Sequence, residues 1–343
     1  MRTLDRRSFI QRSAGTLGGI AVAPTLLAPT PSGTGPTVGG PDAAPTAEPG
    51  LPGFYRFRLG EVEVTVLSDG SFRLPTELFA FDVDAGTREP YLQERLVPLD
   101  EHPLGSNPVV IDTGAARVLV DAGSGISDVS DDPAARHRGR LLPMLAAAGI
   151  PSDSIDTIIL THAHPDHLGG LVDRDTGDVV FPEAEIVVSE VELDHWSDED
   201  LASRSAEWTA PIVPGVQEVL GSVDDRLRTV RDGDEVVAGI RTVASPGHTP
   251  GHIAPILEAG GQQVLFLGDA VVTTHMSFEH PEWQFLFDLD PEEAGRTRRQ
   301  LLDRAATDRI LLLGYHFPFP GVGYALRYRD GFRWHPAGWR VMP

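Results

Sequence analysis

The sequence predicts a mixed α/β fold in which short strands and helices alternate along one large domain. Alternating or continuous apolar runs predict strands at residues 61–66, 109–112, 118–121, 185–189 and 263–267. Helical patterns occur between and after these runs, at residues 134–148 and 291–306. From residue 51 onward about 290 residues remain, which is enough for a single domain with a substantial core.

Local signals set several element boundaries. The first helix is expected to kink or restart at Pro143 and to end at Gly149. Asp290 is expected to cap the second helix, and Asp330-Gly331 to turn a hairpin near the end of the chain. Residues 71–106 fit no regular pattern, and we expect them to cover the functional site.

The most specific signal is the string Thr161-His162-Ala163-His164-Pro165-Asp166-His167, which follows a predicted strand at residues 156–161. His162 and His164 are two residues apart, so in an extended chain they face the same side. Imidazole nitrogens suit zinc and similar divalent ions, and the carboxylate of Asp166 adds negative charge. The string therefore predicts a metal site at the end of a strand.

The same string matches the HxHxDH signature of the metallo-β-lactamase superfamily, and later segments resemble that family's other motifs in order. The resemblance covers most of the chain after residue 55, and it implies an αββα sandwich: two mixed β-sheets flanked by helices, with ligands on loops along one edge. Four segments carry the rest of the resemblance: Arg117-Val118-Leu119-Val120-Asp121-Ala122-Gly123, Ser245-Pro246-Gly247-His248-Thr249-Pro250-Gly251-His252, Phe266-Leu267-Gly268-Asp269-Ala270 and Gly314-Tyr315-His316-Phe317.

Carried over residue by residue, the resemblance implies a pair of divalent metal ions. One is held by His162, His164 and His248, the other by Asp166, His167 and His316, with Asp269 bridging them. His252 falls outside the matched positions and is expected to support the ligands. Zinc is the expected ion, with manganese, cobalt and iron as alternatives.

Such a pair of ions predicts a hydrolase whose nucleophile is a metal-bridging hydroxide, because a divalent ion lowers the pKa of bound water to roughly 7. Asp166 is the candidate catalytic residue, since its carboxylate could return a proton to the leaving group. Two alternatives stay open: a mononuclear iron persulfide dioxygenase and an acyl-homoserine lactonase. Oxygen uptake and metal stoichiometry distinguish the dioxygenase.

The resemblance is closest to the branch that contains methyl parathion hydrolase and related exported esterases and lactonases. It rests on Val66-Leu67-Ser68-Asp69-Gly70, Leu193-Asp194-His195-Trp196 and His316-Phe317-Pro318-Phe319-Pro320-Gly321. Trp196, Phe285, Phe287 and Phe317 are candidates for an aromatic substrate pocket. We therefore expect neutral esters, lactones or phosphotriesters as substrates. Val272 stands where acyl-homoserine lactonases commonly have a tyrosine, which argues against specialisation for homoserine lactones.

The amino-acid composition limits the kinds of molecule that the chain is expected to bind. The formal net charge is −22, from 28 basic and 50 acidic residues, so polyanions are repelled overall and nucleic acid is not an expected partner. The chain has no cysteine, which excludes disulfides, cysteine ligands and a lipid-modified cysteine anchor. A small molecule is the expected partner, and the sequence does not indicate an oligomeric state.

The N-terminus resembles a twin-arginine export signal. Arg6 and Arg7 precede a modestly apolar stretch, so residues 1–28 are expected to form a signal peptide that engages the twin-arginine export machinery. That stretch is shorter than the ~20 residues of a membrane span. Residues 29–50, rich in Pro, Gly, Ala and Thr, are expected to be a disordered linker before the hydrolase domain at 51–343. The predicted location is periplasmic or extracellular, without a stable membrane anchor.

Overall fold

A computed structural model describes residues 53–125 and 138–338, so the predicted signal and linker lie outside the described residues. In the described part, one seven-stranded sheet has the order β1-β2-β5-β6-β7-β8-β9. Pairing is antiparallel from β1 to β6 and parallel from β6 to β9, so the sheet is mixed. Its strands are β1 Phe54–Leu59, β2 Val62–Leu67, β5 Val109–Asp112, β6 Arg117–Val120, β7 Thr157–Ile159, β8 Glu185–Ser189 and β9 Leu227–Val230.

A second seven-stranded sheet follows the chain order from β10 to β16. Only the β13 and β14 pair is parallel, which makes this sheet mixed as well. Its strands are β10 Glu235–Val237, β11 Ile240–Arg241, β12 Ile256–Ala259, β13 Gln262–Phe266, β14 Leu311–Leu313, β15 Val322–Tyr328 and β16 Gly331–Pro336. A separate hairpin pairs β3, Gly70–Pro75, with β4, Glu101–Ser106.

Eight α-helices accompany these sheets in the described residues. They are α1 Ala85–Glu94, α2 Leu141–Ala147, α3 Pro165–Leu168, α4 Glu190–Trp196, α5 Leu201–Arg204, α6 Val213–Ser222, α7 Met276–Glu279 and α8 Pro291–Asp308. Within the described residues, none of these helices is long and apolar enough to cross a membrane.

Three apolar cores stack these elements into four layers. The central core joins the facing sides of the two sheets, for example Val64 and Ile159 of the first against Val264 and Leu313 of the second. A second core packs α2 and α6 on the outer face of the first sheet. A third packs α8 on the outer face of the second sheet. The predicted αββα sandwich is therefore confirmed.

Most predicted elements are present with boundaries that differ by at most two residues, and the strands at 109–112 and 185–189 have the predicted boundaries. The helix capped by Asp290 is α8, in which the Asp290 side chain accepts a hydrogen bond from the backbone N–H of Glu293. It closes at Arg309, whose φ of 55° is left-handed, and β14 begins at Leu311. The hairpin at Asp330-Gly331 joins β15 to β16 as predicted.

The prediction of a helix over residues 134–148 is wrong at residues 138–140, which are not helical. Residues 134–137 lie outside the described residues, and α2 begins at Leu141. Gly139 has a left-handed φ of 70°, and the Leu141 N–H donates to the side chain of Asp69, so the chain enters the helix only there. Pro143 lies in the first turn, where an absent N–H costs no helical hydrogen bond.

The expectation that residues 71–106 lack regular structure is also wrong, because they contain most of β3, a 3₁₀ turn at Thr76–Ala80, α1 and β4. Prolines at 75, 90, 98 and 103 interrupt the patterns that reveal strands and helices in a sequence. This segment packs against Phe285 and Met276 through its own apolar cluster. Its Phe72 ring lies 5.5 Å from the ring of His316, so the segment borders the predicted site as expected.

Candidate metal centre

The histidine string follows the carboxyl end of β7, an interior strand of the first sheet, and turns directly into α3. Thr161 is held at this turn by Asp121, whose Oδ1 accepts the Thr161 N–H at 2.8 Å. Asp121 follows β6 and adopts a left-handed φ of 60°, which aims its carboxylate under the string. Pro165 occupies the first turn of α3, where it stiffens the chain between His164 and the helix.

The other three predicted ligands come from the second sheet. His248 lies in the loop between β11 and β12, Asp269 in a 3₁₀ turn after β13, and His316 just after β14. Because β13 and β14 are parallel, their carboxyl ends share one edge of the sheet. His316 Nε2 consequently lies 3.2 Å from Asp269 Oδ2.

The structure brings all seven predicted residues together. Asp269 occupies the middle, with its carboxylate oxygens 3.2 Å from His167 Nε2 and 3.3 Å from His248 Nε2. Three groups have ligand atoms within 4.8 Å of one another: His162, His164 and His248; His162, His167 and Asp269; and Asp166, His167 and His316. The first and third groups are the two ligand sets implied by the resemblance.

Unpaired polar atoms indicate that this cluster is built for cations. Among the described residues, the Nε2 atoms of His162 and His167 and Oδ1 of Asp269 are buried without a hydrogen-bond partner, and Nδ1 of His164 faces Nε2 of His248 at 2.9 Å. Each such atom lowers the stability of the folded protein by about 1–3 kcal/mol when it stays unpaired. Several of them converging on one point fit divalent ions, which replace the missing partners.

The opposite ring nitrogens are held by the surrounding protein. His167 Nδ1 donates to Asp121 Oδ2 at 2.9 Å, and His316 Nδ1 donates to the Gly105 carbonyl at 2.7 Å. His248 Nδ1 donates to Asp288 Oδ1 at 3.0 Å, while His162 Nδ1 lies 3.1 Å from Thr161 Oγ1. Each of these contacts fixes a tautomer and leaves Nε2 facing the centre.

Electrostatics keep His162, His164 and Asp269 in forms that bind metal, whereas His167 must lose a proton to bind one. Burial, together with neighbouring imidazoles, lowers the pKa of His162 and of His164 well below the usual value, so both rings are neutral. Burial also lowers the pKa of His167, but the carboxylates of Asp121, Asp269 and Asp166 outweigh it and raise that pKa well above the usual value. Burial alone would raise the pKa of Asp269, yet the surrounding imidazoles hold it well below its usual value.

Asp166 is the most accessible of the seven. Its side chain is 23% exposed, whereas the other six residues are at most 7% exposed. Oδ2 lies 3.5 Å from His316 Nε2, and the backbone carbonyl accepts a hydrogen bond from Tyr315 Oη at 2.6 Å. This carboxylate therefore borders both the cluster and solvent.

The sequence profile of the metallo-beta-lactamase superfamily matches residues 102–314, which include six of the seven clustered residues. The chain belongs to this superfamily. A probable metallo-hydrolase of Mycobacterium bovis is 29% identical over 182 residues, which are 47% of this chain and 55% of that protein. The chain thus spans about half the length of the curated relatives that it matches.

Solved structures of the superfamily match over a longer stretch. The dizinc quorum-quenching lactonase AidC, solved with a product, is 28% identical and superposes with a TM-score of 0.77 over 84% of this chain and 99% of its own. The hydrolase AbOPH is 27% identical with a TM-score of 0.77, over 85% of this chain and 99% of its own. Membership in the methyl parathion hydrolase branch stays a prediction.

Two of the predicted pocket residues are in the wrong place to meet a substrate. Phe317 is fully buried and packs edge-on against Trp334 and tilted against Phe278, because the chain turns inward after His316. Trp196 is also fully buried, and its indole N–H donates to Glu192. Its ring lies 5.7 Å from the ring of His164, so it supports a ligand from behind.

The aromatic surface that borders the centre is a different set, and Phe285 and Phe287 are its predicted members. Phe285 is 5% exposed and lies parallel to His248 at 6.0 Å. Phe72 and Trp208, both partly exposed, lie 5.5 Å from His316 and 6.2 Å from His164. Phe287 is partly exposed too, and its ring meets Trp208 edge-on at 4.9 Å. We call Phe72, Trp208, Phe285 and Phe287 the aromatic rim.

Sequence reasoning missed two buried acids that hold the ligand loops. Asp288 is fully buried between His248 and Arg298, and Glu192 is fully buried beneath the loops of His164 and His248. Neither stands in a motif that distinguishes it from a surface acid. His252 has its expected supporting contacts: Nε2 accepts the Asp269 N–H at 3.0 Å, and Nδ1 donates to Ser245 Oγ at 2.7 Å.

Proposed function

We propose that the chain is a hydrolase with two divalent metal ions that cleaves neutral esters, lactones or phosphotriesters. The observation that carries the proposal is the cluster of buried imidazole nitrogens around Asp269, bordered by the aromatic rim. His162, His164 and His248 would hold one ion, Asp166, His167 and His316 the other, with Asp269 between them. When bound, such ions supply an acidified water and polarise a carbonyl or phosphoryl oxygen.

The residues of the chain supply binding and proton transfer. The exposed oxygen of Asp166 is suited to carry a proton to the leaving group, because it borders both the cluster and solvent. Phe72, Trp208 and Phe287 present partly exposed rings, which favour an apolar acyl or aryl group. The net charge of −22 disfavours an anionic polymer as substrate.

The test is a substrate panel on protein reconstituted separately with Zn²⁺, Mn²⁺, Co²⁺ and Fe²⁺. Aryl esters, aliphatic lactones and a phosphotriester are compared with RNA, and elemental analysis measures the ions bound per chain. We expect two ions and turnover of at least one neutral class, abolished by a chelator. Cleavage of RNA alone would contradict the substrate class. One iron ion together with oxygen uptake on a persulfide would support the dioxygenase alternative instead.

Trp208→Ala is expected to raise KM for a hexanoyl aryl ester about tenfold with a smaller change in kcat, because binding common to the ground and transition states is lost. The acetyl ester of the same phenol should respond much less, since it has little chain to place against the rim. Tyr328→Ala, which removes an aromatic ring from β15 in the second sheet, is the control. Equal effects on both esters would contradict an acyl-binding role.

We also propose that the chain is exported by the twin-arginine route to the periplasm or beyond. Replacing Arg6 and Arg7 together by lysine should leave the full-length precursor in the cytoplasm, because the receptor reads the guanidinium pair as an address. Cell fractionation and blotting measure this. The single change Arg2→Lys, outside the pair, should leave export unchanged, and normal secretion of the double variant would contradict the signal.

A further inference from the structure

Glu192 is a buried carboxylate beneath the candidate metal centre that none of the seven ligand positions includes. It lies in α4 and has no exposed surface. Glu190, two residues earlier in the same helix, is at the surface and pairs with Arg231. A buried carboxylate is retained only where several donors stabilise its charge, so its partners show what it holds.

Both carboxylate oxygens of Glu192 accept hydrogen bonds from segments that carry metal ligands. Oε1 accepts the backbone N–H of Ala163 at 2.9 Å, and Ala163 stands between His162 and His164. Oε2 accepts the hydroxyl of Thr249 at 2.7 Å and the backbone N–H of Gly251 at 3.1 Å, directly after His248. One side chain therefore joins a loop of the first sheet to a loop of the second.

The contact between α4 and the His248 loop extends to the backbone. A Cβ added at Gly251 would lie 2.0 Å from the Glu192 nitrogen and 2.5 Å from its Cα. Only glycine lets the loop approach the helix this closely. The loop after His248 therefore packs directly against the helix turn that carries Glu192.

Glu192 also fixes the aromatic support of His164. The indole Nε1–H of Trp196 donates to Oε1 at 2.8 Å, which sets the orientation of the ring one helical turn further on. That ring meets His164 edge-on. His164 and His248 are in turn neighbours, with 2.9 Å between Nδ1 of the former and Nε2 of the latter.

We propose that Glu192 is a positioning residue. It keeps His164 and His248 at the separation that is required by the ion they would share with His162, and it does not position the ligands of the second ion. The second set of ligands has separate supports, because His167 is held by Asp121 and His316 by the Gly105 carbonyl. This inference rests on the proposed two-metal function. It predicts that Glu192 affects the metal affinity of the first site and not that of the second.

The variant Glu192→Gln tests the proposal because it conserves shape and removes half of the acceptor capacity. An amide has one oxygen and an NH₂ group, so the donors now facing the NH₂ lose their acceptor. We expect affinity at the His162, His164 and His248 site to fall about 10–100-fold, while the second site changes much less. The matched control is Glu190→Gln, the same change on the exposed side of the helix, which should alter neither.

The measurement is Zn²⁺ titration of the full chain against a competing chelator, followed by NMR signals of the histidine side chains. Chelator competition gives the two affinities, and the imidazole signals identify which histidines each ion occupies. Equal weakening of both sites, or unchanged affinity at both, would overturn the proposal. The first outcome would describe a merely structural residue, and the second a residue without influence on the ligands.

A milder variant keeps the proposal testable if Glu192→Gln does not fold. Thr249→Val removes one donor and leaves the carboxylate with its three others. We expect a smaller loss of affinity at the same site, and wild-type affinity there would overturn the proposal. Failure of the proposed function looks different: wild-type protein would bind both ions and Glu192→Gln would lose one selectively, yet no neutral substrate would be cleaved.

Discussion

Replacing Asp269 by asparagine is expected to lower kcat on the best neutral substrate by at least about a hundredfold. Asp269 lies between the ligand sets, and its oxygens approach His167, His248 and His316 within 3.3 Å. The carboxylate is the buried negative charge at the centre of these imidazoles. Asparagine keeps its size but offsets none of the positive charge that two ions bring.

Steady-state kinetics and elemental analysis on the same preparation measure this effect. Asp303→Asn is the matched control, because Asp303 is an exposed aspartate that pairs with Arg327 far along α8. Its kcat and metal content should equal those of the wild type. Near-normal turnover of Asp269→Asn with both ions retained would contradict the central role proposed for Asp269.

Arg298→Leu is expected to lower the free energy of unfolding by about 3–5 kcal/mol, because it leaves a buried charge without its partner. Arg298 is 1% exposed, and its guanidinium donates to Asp288 Oδ2 at 3.1 Å. It also donates to the carbonyls of Ala270, Pro281 and Trp283. The substitution would leave these acceptors unsatisfied within the protein.

Urea denaturation of metal-free protein measures the change, as a lower midpoint at an unchanged slope. Arg299→Leu is the control, since Arg299 is the next residue along the helix but its side chain is 46% exposed and pairs with Glu282 at the surface. That variant should lose no more than about 1 kcal/mol. Equal losses in the two variants would mean that the buried network contributes no more than a surface pair.

The clustering of the seven candidate ligands was predictable because metal chemistry restricts residue type and spacing in the histidine string, and because the family resemblance supplied His248, Asp269 and His316. Three of the four candidate ligands in that string, His162, His164 and His167, carry imidazoles. The sandwich was predictable for a related reason, since apolar runs of strand length are visible one by one. Their arrangement into two mixed sheets flanked by helices came from the resemblance.

The residues around the ligands were not predictable in the same way. Trp196 and Phe317 are aromatic residues near ligand motifs, and only the packed fold places both in the interior while Phe72 and Trp208 reach the rim. Asp288 and Glu192 look like ordinary acids, because their donors come from segments as distant as Ala163 and Arg298. Burial and long-range partners are properties of tertiary structure.

The division of the ligands between two sheets has a consequence for biosynthesis. A chain emerging from the ribosome carries His162 to His167 long before His316. The complete set of candidate donors exists only after His316 has been made and the two sheets have docked. Occupancy of both metal sites would therefore require a completely folded domain. The ion content of a preparation would then measure the fraction of folded protein as well as its capacity for catalysis.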